Sequence, residues 1–384
     1  MNLLNRPINK PVDLMKYRVH QYNMITEFID ICFDYASRFG LVYDSREIEI
    51  LNDDSYFYTN HYAFDKYRIK FKDQKTNFLE LDIPTLIDDT FFKLKGVYYI
   101  PLIYILDEPI AFKKNSIKIS SLFKPITLYT NDNRMIIDGN NVPISRFLRI
   151  YESDECVIED LCDQFKTQYV KESQDESVNK LSKTLCLVND IDVIHNHIED
   201  VFFDKWTKEL YSAYYNKEDV SMLTIFEIIL SRLYSDEEVE FNNLDYKRLV
   251  FIELLLDPLF KAFNKLVMKL QHKEFISQVP IKANAIIQHF YSSGNNGIGS
   301  NKSVKGLSGN NLYSVVNGYT GLLGLKASFE NPKSQSELPR SVSSVNPTYK
   351  NKICPVTISN KTPGVVSSLV PNQKIDLRHG MFLN

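Results

Sequence analysis

Glycine is scarce through most of this 384-residue chain: only three of its thirteen glycines precede residue 281. Paired cysteines are missing altogether. The five present (Cys32, Cys156, Cys162, Cys186 and Cys354) are odd in number and contain no Cys-x-x-Cys spacing. That argues against a disulfide framework or a zinc knuckle and implies a reducing compartment. Long apolar runs are absent too. The greasiest stretch, residues 249–263, is interrupted by Glu253, Asp257 and Pro258, so it could cross a bilayer only by burying charge. The opening residues, Met1 to Pro7, carry no apolar core of signal-peptide length. No Gly-x-Ser-x-Gly elbow occurs, and no Cys/His pair stands out as a nucleophile with its base. These absences weigh against a secreted, membrane-spanning or self-sufficient hydrolytic protein.

What is present is apolar and aromatic chain, 44% and 12% of residues, enough for two or three domains with cores of their own. The net charge of −3 conceals an asymmetry. Residues 281–384 hold 11 Lys/Arg against 3 Asp/Glu, whereas the remainder holds 34 against 45. A basic block beside an acidic body suggests one face that meets a polyanion; the plain alternative is a solvated basic tail.

Periodicity organises the chain. Ile25, Phe28, Ile29, Cys32, Ala36 and Phe39 recur at helical spacing, and Gly40 stands where a C-terminal cap belongs. From Tyr43 to about Tyr151 the pattern becomes short β-rich runs: 56–58, 67–71, 78–81, 91–94, 98–106, 117–120, 126–129 and 134–137. Turn residues separate them, with Asp138-Gly139 as a hairpin signal. Helix then returns. Ile194, Ile198, Phe202, Trp206 and Leu210 form an i+4 stripe, residues 222–233 a shorter apolar helix, and residues 245–272 the longest expected helix, kinked at Pro258. The last 104 residues hold ten glycines, which marks loop-rich chain, with helices expected at 283–290 and 312–325. There is no internal repeat.

Three catalytic-looking motifs are incomplete. Asp190 and Asp192 make an Asp-x-Asp that could hold Mg²⁺, but the third position is Ile194. Negative charge at the start of the following helix is the simpler role. His195 and His197 are two apart, and i and i+2 point to different sides of a helix, which disfavours a shared metal. Gly294, Gly297 and Gly299 lack a preceding strand and a P-loop lysine. The basic C-terminal segment is more informative. Arg340, Lys350, Lys352, Lys361, Lys374 and Arg378 alternate with Pro, Gly, Ser and Asn, so extended chain can present cations to phosphates without reading sequence. Tyr349 could stack on a base or pack on its own domain.

Three collinear blocks resemble β subunits of multisubunit RNA polymerases. Ile83 to Val97 is similar to the family's Ile-Pro-x-Met-Thr-(polar)-x-Gly-x-Phe-Ile-Ile-Asn-Gly strand-turn-strand. Asn133 to Arg149 is similar to Val-Arg-Ile-Asp-x-x-x-Lys-Leu-Pro-x-x-x-(apolar)-Leu-Arg. In the C-terminal 100 residues, Lys282–Ser293 resembles the helix that ends in Phe-Phe-Gly-Ser-Ser, and Asn311–Leu325 stands at the place of the Asn-x-Leu-Ser helix. Pro347-Thr348 and Lys352-Ile353-Cys354-Pro355 align with His-Pro-Thr-His-x-Gly-Arg-Val-Cys-Pro, and Pro363–Val366 sits near Asn-Ile-Gly-Leu. The chain also departs from the family. Thr357-Ile358-Ser359-Asn360-Lys361 replaces the acidic Glu-Thr-Pro-Glu-Gly, and the fork arginines fall near Thr320 and Gly321, with Lys326 the nearest basic residue.

The resemblance implies an α+β, multidomain chain of RNA polymerase β type. Its expected parts are a protrusion (1–102 and 266–320), a reduced lobe (103–265) and a fork region (321–384). The chain would be the N-terminal part of a split β subunit, most like those of phiKZ-like jumbo bacteriophages. It would line the DNA cleft, with Lys326, Arg340, Lys350, Lys352 and Lys361 as nucleic-acid contacts and no catalytic residue of its own. Mg²⁺ would belong to another subunit of the assembled enzyme, and this chain would bind no metal. Expected partners are the C-terminal β fragment, the β′ fragments, template DNA, the RNA transcript and a phage promoter-specificity subunit, with no membrane. The host cytoplasm or the virion is the expected location. Two rivals are a stand-alone DNA-binding or virion structural protein with a basic C-terminal region, and a nucleotidyltransferase that uses Asp190 and Asp192.

Overall fold

The computed structural model describes residues 12–38, 42–51, 64–71, 78–86, 89–94, 97–101, 103–113, 115–129, 132, 134–137, 139–234, 243–253, 256, 259, 260, 263, 304–306, 321–323, 345–355, 366–370 and 373–383. The chain is α+β and divides into two compact units, residues 1–107 with 240–384, and residues 108–239. The inserted unit lies inside the span 103–265 expected for the lobe.

The first unit opens with α1 (Val12–Asn23) and α2 (Ile25–Ser37). The expected α2 stripe is buried at Ile25, Phe28, Ile29, Cys32 and Ala36; Phe39 and Gly40 lie outside the described residues. Three antiparallel strands follow, β1 (Tyr43–Leu51), β2 (Phe64–Phe71) and β3 (Phe78–Pro84). The β1 run was not foreseen, and the run expected at 56–58 lies outside the described residues. Then come β4 (Phe92–Leu94), β5 (Val97–Pro101) and β6 (Ile103–Asp107).

The inserted unit starts with a five-stranded antiparallel meander: β7 (Ile110–Lys113), β8 (Ser116–Ile119), β9 (Ile126–Tyr129), β10 (Arg134–Ile137) and β11 (Asn140–Val142). Burial alternates along β8, β9 and β10, as a sheet with one covered face requires. Ile137 pairs with Asn140 across the expected hairpin, and Gly139 takes φ +79, a turn conformation that favours glycine. Among its described residues six helices follow: α3 (Ile144–Leu148), α4 (Glu155–Gln164), α5 (Gln174–Leu185), α6 (Ile191–Val201), α7 (Lys205–Tyr215) and α8 (Met222–Leu233). The stripe from Ile194 to Leu210 is buried throughout but belongs to two helices. Phe202 closes the first, and Asp204 caps the second, accepting from Thr207 N at 3.1 Å and Thr207 Oγ1 at 2.5 Å. Phe226 meets Phe147 and Phe165 edge-on at 6.0 and 5.4 Å, so α8 seals the core built by α3 and α4.

When the chain returns to the first unit, the structure overturns the long helix expected from residue 245. Leu244–Tyr246 is one 3₁₀ turn and β12 (Lys247–Val250) pairs antiparallel with β6. All four β12 residues are buried. Lys247 stands opposite Asp107 in the ladder and bonds its carboxylate, while Arg248 holds Glu253 through two bonds of 2.6 and 2.7 Å. The charges are matched across the fold, which lets a Lys-Arg pair enter a buried strand. Helical backbone resumes beyond it, where Ile252, Leu256, Leu259, Phe260 and Phe263 are helical and buried. Phe260 and Phe263 pack on Phe28 and Phe33 of α2 at 6.1 and 5.3 Å. Short strands close the unit: β13 (Val304–Gly306) on β5, then β14 (Gly321–Leu323) parallel to β6 and β15 (Val366–Ser368) antiparallel to β14. The helix expected at 283–290 lies outside the described residues; of the helix expected at 312–325 only Gly321–Leu323 is described, and it is strand.

Candidate nucleic-acid interface

The turn at 346–353 is assembled from short-range bonds and then tied down. Asn346 Oδ1 accepts from Thr348 N at 2.9 Å and Thr348 Oγ1 at 2.7 Å, an Asx cap that folds Pro347–Tyr349 into a 3₁₀ turn. Thr348 Oγ1 in turn accepts from Leu244 N at 3.0 Å. Lys350 N donates to Pro347 O, and Lys352 N and Ile353 N both donate to Tyr349 O. Asn351 takes φ +61, which asparagine tolerates better than most residues. Val370 N donates to Lys352 O at 3.0 Å, fixing the turn beside the end of β15. Tyr349 is buried, and burial pushes its hydroxyl pKa up to about 12.

The five expected contact residues divide. Lys326, Arg340 and Lys361 lie outside the described residues. Lys350 is exposed at the tip of the turn beside exposed Asn351. Lys352 is 8% exposed; its ammonium bonds Asp245 Oδ1 at 2.9 Å and lies 5.7 Å from the Phe382 ring centre. Of the two other cations in the basic segment, Lys374 is exposed, and Arg378 grips Glu27 through bonds of 2.7 and 3.3 Å.

Residues 373–383 form a hook on the same unit. Asp376 accepts from the backbone N–H of Arg378 and of His379, and its Oδ2 lies 2.9 Å from His379 Nδ1. Burial raises the Asp376 pKa, but the bonds from the His379 ring and from those two amides outweigh it and hold the carboxyl below its ordinary range. Gln21 Nε2 of α1 donates to the carbonyls of Leu377 and Arg378 at 2.9 and 2.7 Å. Leu249 N of β12 donates to Gly380 O at 2.8 Å, and Tyr17 OH donates to Leu249 O at 2.9 Å. Sequence reading missed the ties of α1 to the hook and to β12, and of β12 to the hook, because each joins residues more than 100 positions apart, with no local pattern to announce them.

The other motifs resolve locally. Asp190 caps α6, its Oδ1 accepting from Asp192 N and Val193 N at 2.8 and 3.3 Å. His195 packs its ring on Tyr151, with centroids 5.0 Å apart. Gly294, Gly297 and Gly299 lie outside the described residues. Among the described residues no group of three His, Cys, Asp or Glu is placed to hold a metal ion, and no helix is long and apolar enough to cross a membrane. No protein-family model matches the chain, and no curated protein matches it.

Proposed function

We propose that this chain is the N-terminal part of a split β subunit of a phage multisubunit DNA-dependent RNA polymerase, where it lines the DNA cleft and fork beside the active centre. The observation that carries this reading is the turn at 346–353. The residues that resemble the family's fork segment, Pro347-Thr348 and Lys352-Ile353, build a tied-down turn that leaves Lys350 in solvent. A cation held on a fixed turn suits a sugar-phosphate backbone, because phosphate contacts position a duplex without reading it. Lys350, Lys326, Arg340 and Lys361 would supply such contacts. Lys352 would reach a phosphate by exchanging Asp245 for it, so its first role is to hold the turn.

Catalysis would depend on partners. In this reading another subunit carries the aspartates that hold Mg²⁺ for phosphoryl transfer, and this chain supplies shape and charge. Those partners would be the C-terminal β fragment and the β′ fragments, with template DNA, the transcript and a promoter-specificity subunit, in the host cytoplasm or the virion.

The test is reconstitution. The chain alone incorporates no nucleotide in a primer-extension assay, whereas the assembly pulled down with its companion chains does. Lys350→Ala in that assembly weakens template binding and lowers the salt slope by about one. Primer extension by the isolated chain would sink the proposal. So would tight, salt-sensitive DNA binding without any co-purifying subunit, the behaviour of a stand-alone DNA-binding or virion protein.

A further inference from the structure

In α1 the residues Leu14, Tyr17, Arg18 and Gln21 are buried in the first unit. The neighbouring stripe of the same helix borders a cleft of about 520 Å³. Met15 and Val19 supply its apolar wall together with Leu377 from the hook. Gln21 Nε2 fixes Leu377 by bonding its carbonyl, so the cleft is preformed by two tied elements. That volume lies in the range of small-molecule sites, which combine an apolar lining with a few convergent polar groups.

The polar groups decide what kind of ligand fits. Lys16, His20 and Asn23 follow one another at i, i+4 and i+7, so they share one helix face, and all three line the cleft. His20 Nε2 is withdrawn from solvent and has no hydrogen-bond partner among the described residues. A buried polar atom left unpaired is costly, and a small turn of the ring that brings Nε2 to the cleft would let it donate to a ligand oxygen. The exposed Lys16 ammonium supplies attraction for a negative headgroup. Asp89, exposed and in the left-handed region at φ +58, adds one carboxylate to the lining that opposes an anion.

We propose that this cleft binds a small amphipathic anion, a carboxylate or phosphate monoester on an apolar body. The headgroup pairs with His20 and Lys16, and the body lies along Met15, Val19 and Leu377. The proposal does not rest on the polymerase reading. Because the hook contributes Leu377, an occupant also bridges α1 and residues 373–383.

Isothermal titration of the full chain with octanoate and with octyl phosphate tests it, with octanol as the neutral control. One saturable site is expected for at least one anion, and the preferred anion identifies the headgroup. Octanol binds at least about tenfold more weakly. Lys16→Met and His20→Ala each weaken the anion about tenfold, and Asp89→Asn tightens it several-fold by removing a like charge. Lys16 is solvent-exposed, so its variant stays informative even if the His20 variant fails to fold. No saturable anion binding, equal binding of octanol, indifference to Lys16→Met, or weakening by Asp89→Asn would each overturn the proposal.

Discussion

Two buried carboxylates in the inserted unit pull its stability in opposite directions with pH. Glu172 accepts from Arg146 Nε and Nη2 at 3.0 and 2.7 Å, from Lys180 Nζ at 3.0 Å and from Ser177 Oγ at 3.3 Å. The Arg146 bonds, helped by Lys180, outweigh burial and lower its pKa to about 2. A carboxyl depressed in the folded state stabilises it fully above the unfolded value of 4.5, and that contribution is lost as pH falls toward 2. Asp204 is the reverse case. Burial raises it from 3.8 to about 6 against the bonds from Thr207 and the neighbouring amides. The folded state therefore holds a proton that the unfolded state releases, and stability declines as pH rises from about 4 to 6. We expect Glu172→Gln to cost on the order of 2 kcal/mol at pH 7, with most of the difference from wild type gone at pH 2.5. Urea-unfolding midpoints at the two pH values check this, and an equal cost at both would refute the linkage.

At the scale of elements, the hook depends on one backbone position. Gly380 takes φ +75, where a side chain is strained, and a Cβ there would lie 2.0 Å from Leu249 O and 2.9 Å from Tyr17 OH. The Leu249 carbonyl belongs to a paired strand and cannot easily retreat. Gly380→Ala should therefore destabilise by about 2 kcal/mol or more and detach residues 373–383 from β12. Hydrogen exchange reads the detachment directly, because the Leu249 amide donates to Gly380 O and loses protection when the hook leaves. Unchanged protection at Leu249 would mean that the hook tolerates the methyl group.

Across the whole molecule, the insertion carries the means to fold alone. Its first residue, Glu108, is buried and bonds Arg232 in the last turn of α8 and Tyr215 of α7, so both ends of the segment are tied within it. Phe147, Phe165, Trp206 and Phe226 are buried inside the same span. A fragment of residues 108–239 is expected to unfold in one cooperative transition, followed by circular dichroism during heating. A broad, sloping melt would show that the fragment needs the rest of the chain. Glu108→Ala in that fragment should lower the midpoint, since it strands the guanidinium of Arg232, which is 24% exposed, without its carboxylate.

The local elements were legible because their determinants are neighbours in the sequence. Periodicity alone placed α8 at Met222–Leu233, the Asp138-Gly139 dipeptide placed a hairpin, and the missing third carboxylate at Ile194 left Asp190 and Asp192 as negative charge at a helix start. Burial and turn chemistry within a few residues suffice for such features. Residues 247–250 went the other way. A run that continues into helical spacing became a strand because Asp107, 140 positions earlier, offers both a ladder partner and a counter-ion. The basic segment divides along the same line. Its charge, and the exposure of Lys350, follow from composition and from a turn built by Asn346 and Thr348. That Lys352 is spent on Asp245, Arg378 on Glu27 and Leu377 on the wall of a cleft was decided by tertiary structure, since a long side chain pairs with whatever the fold brings near it.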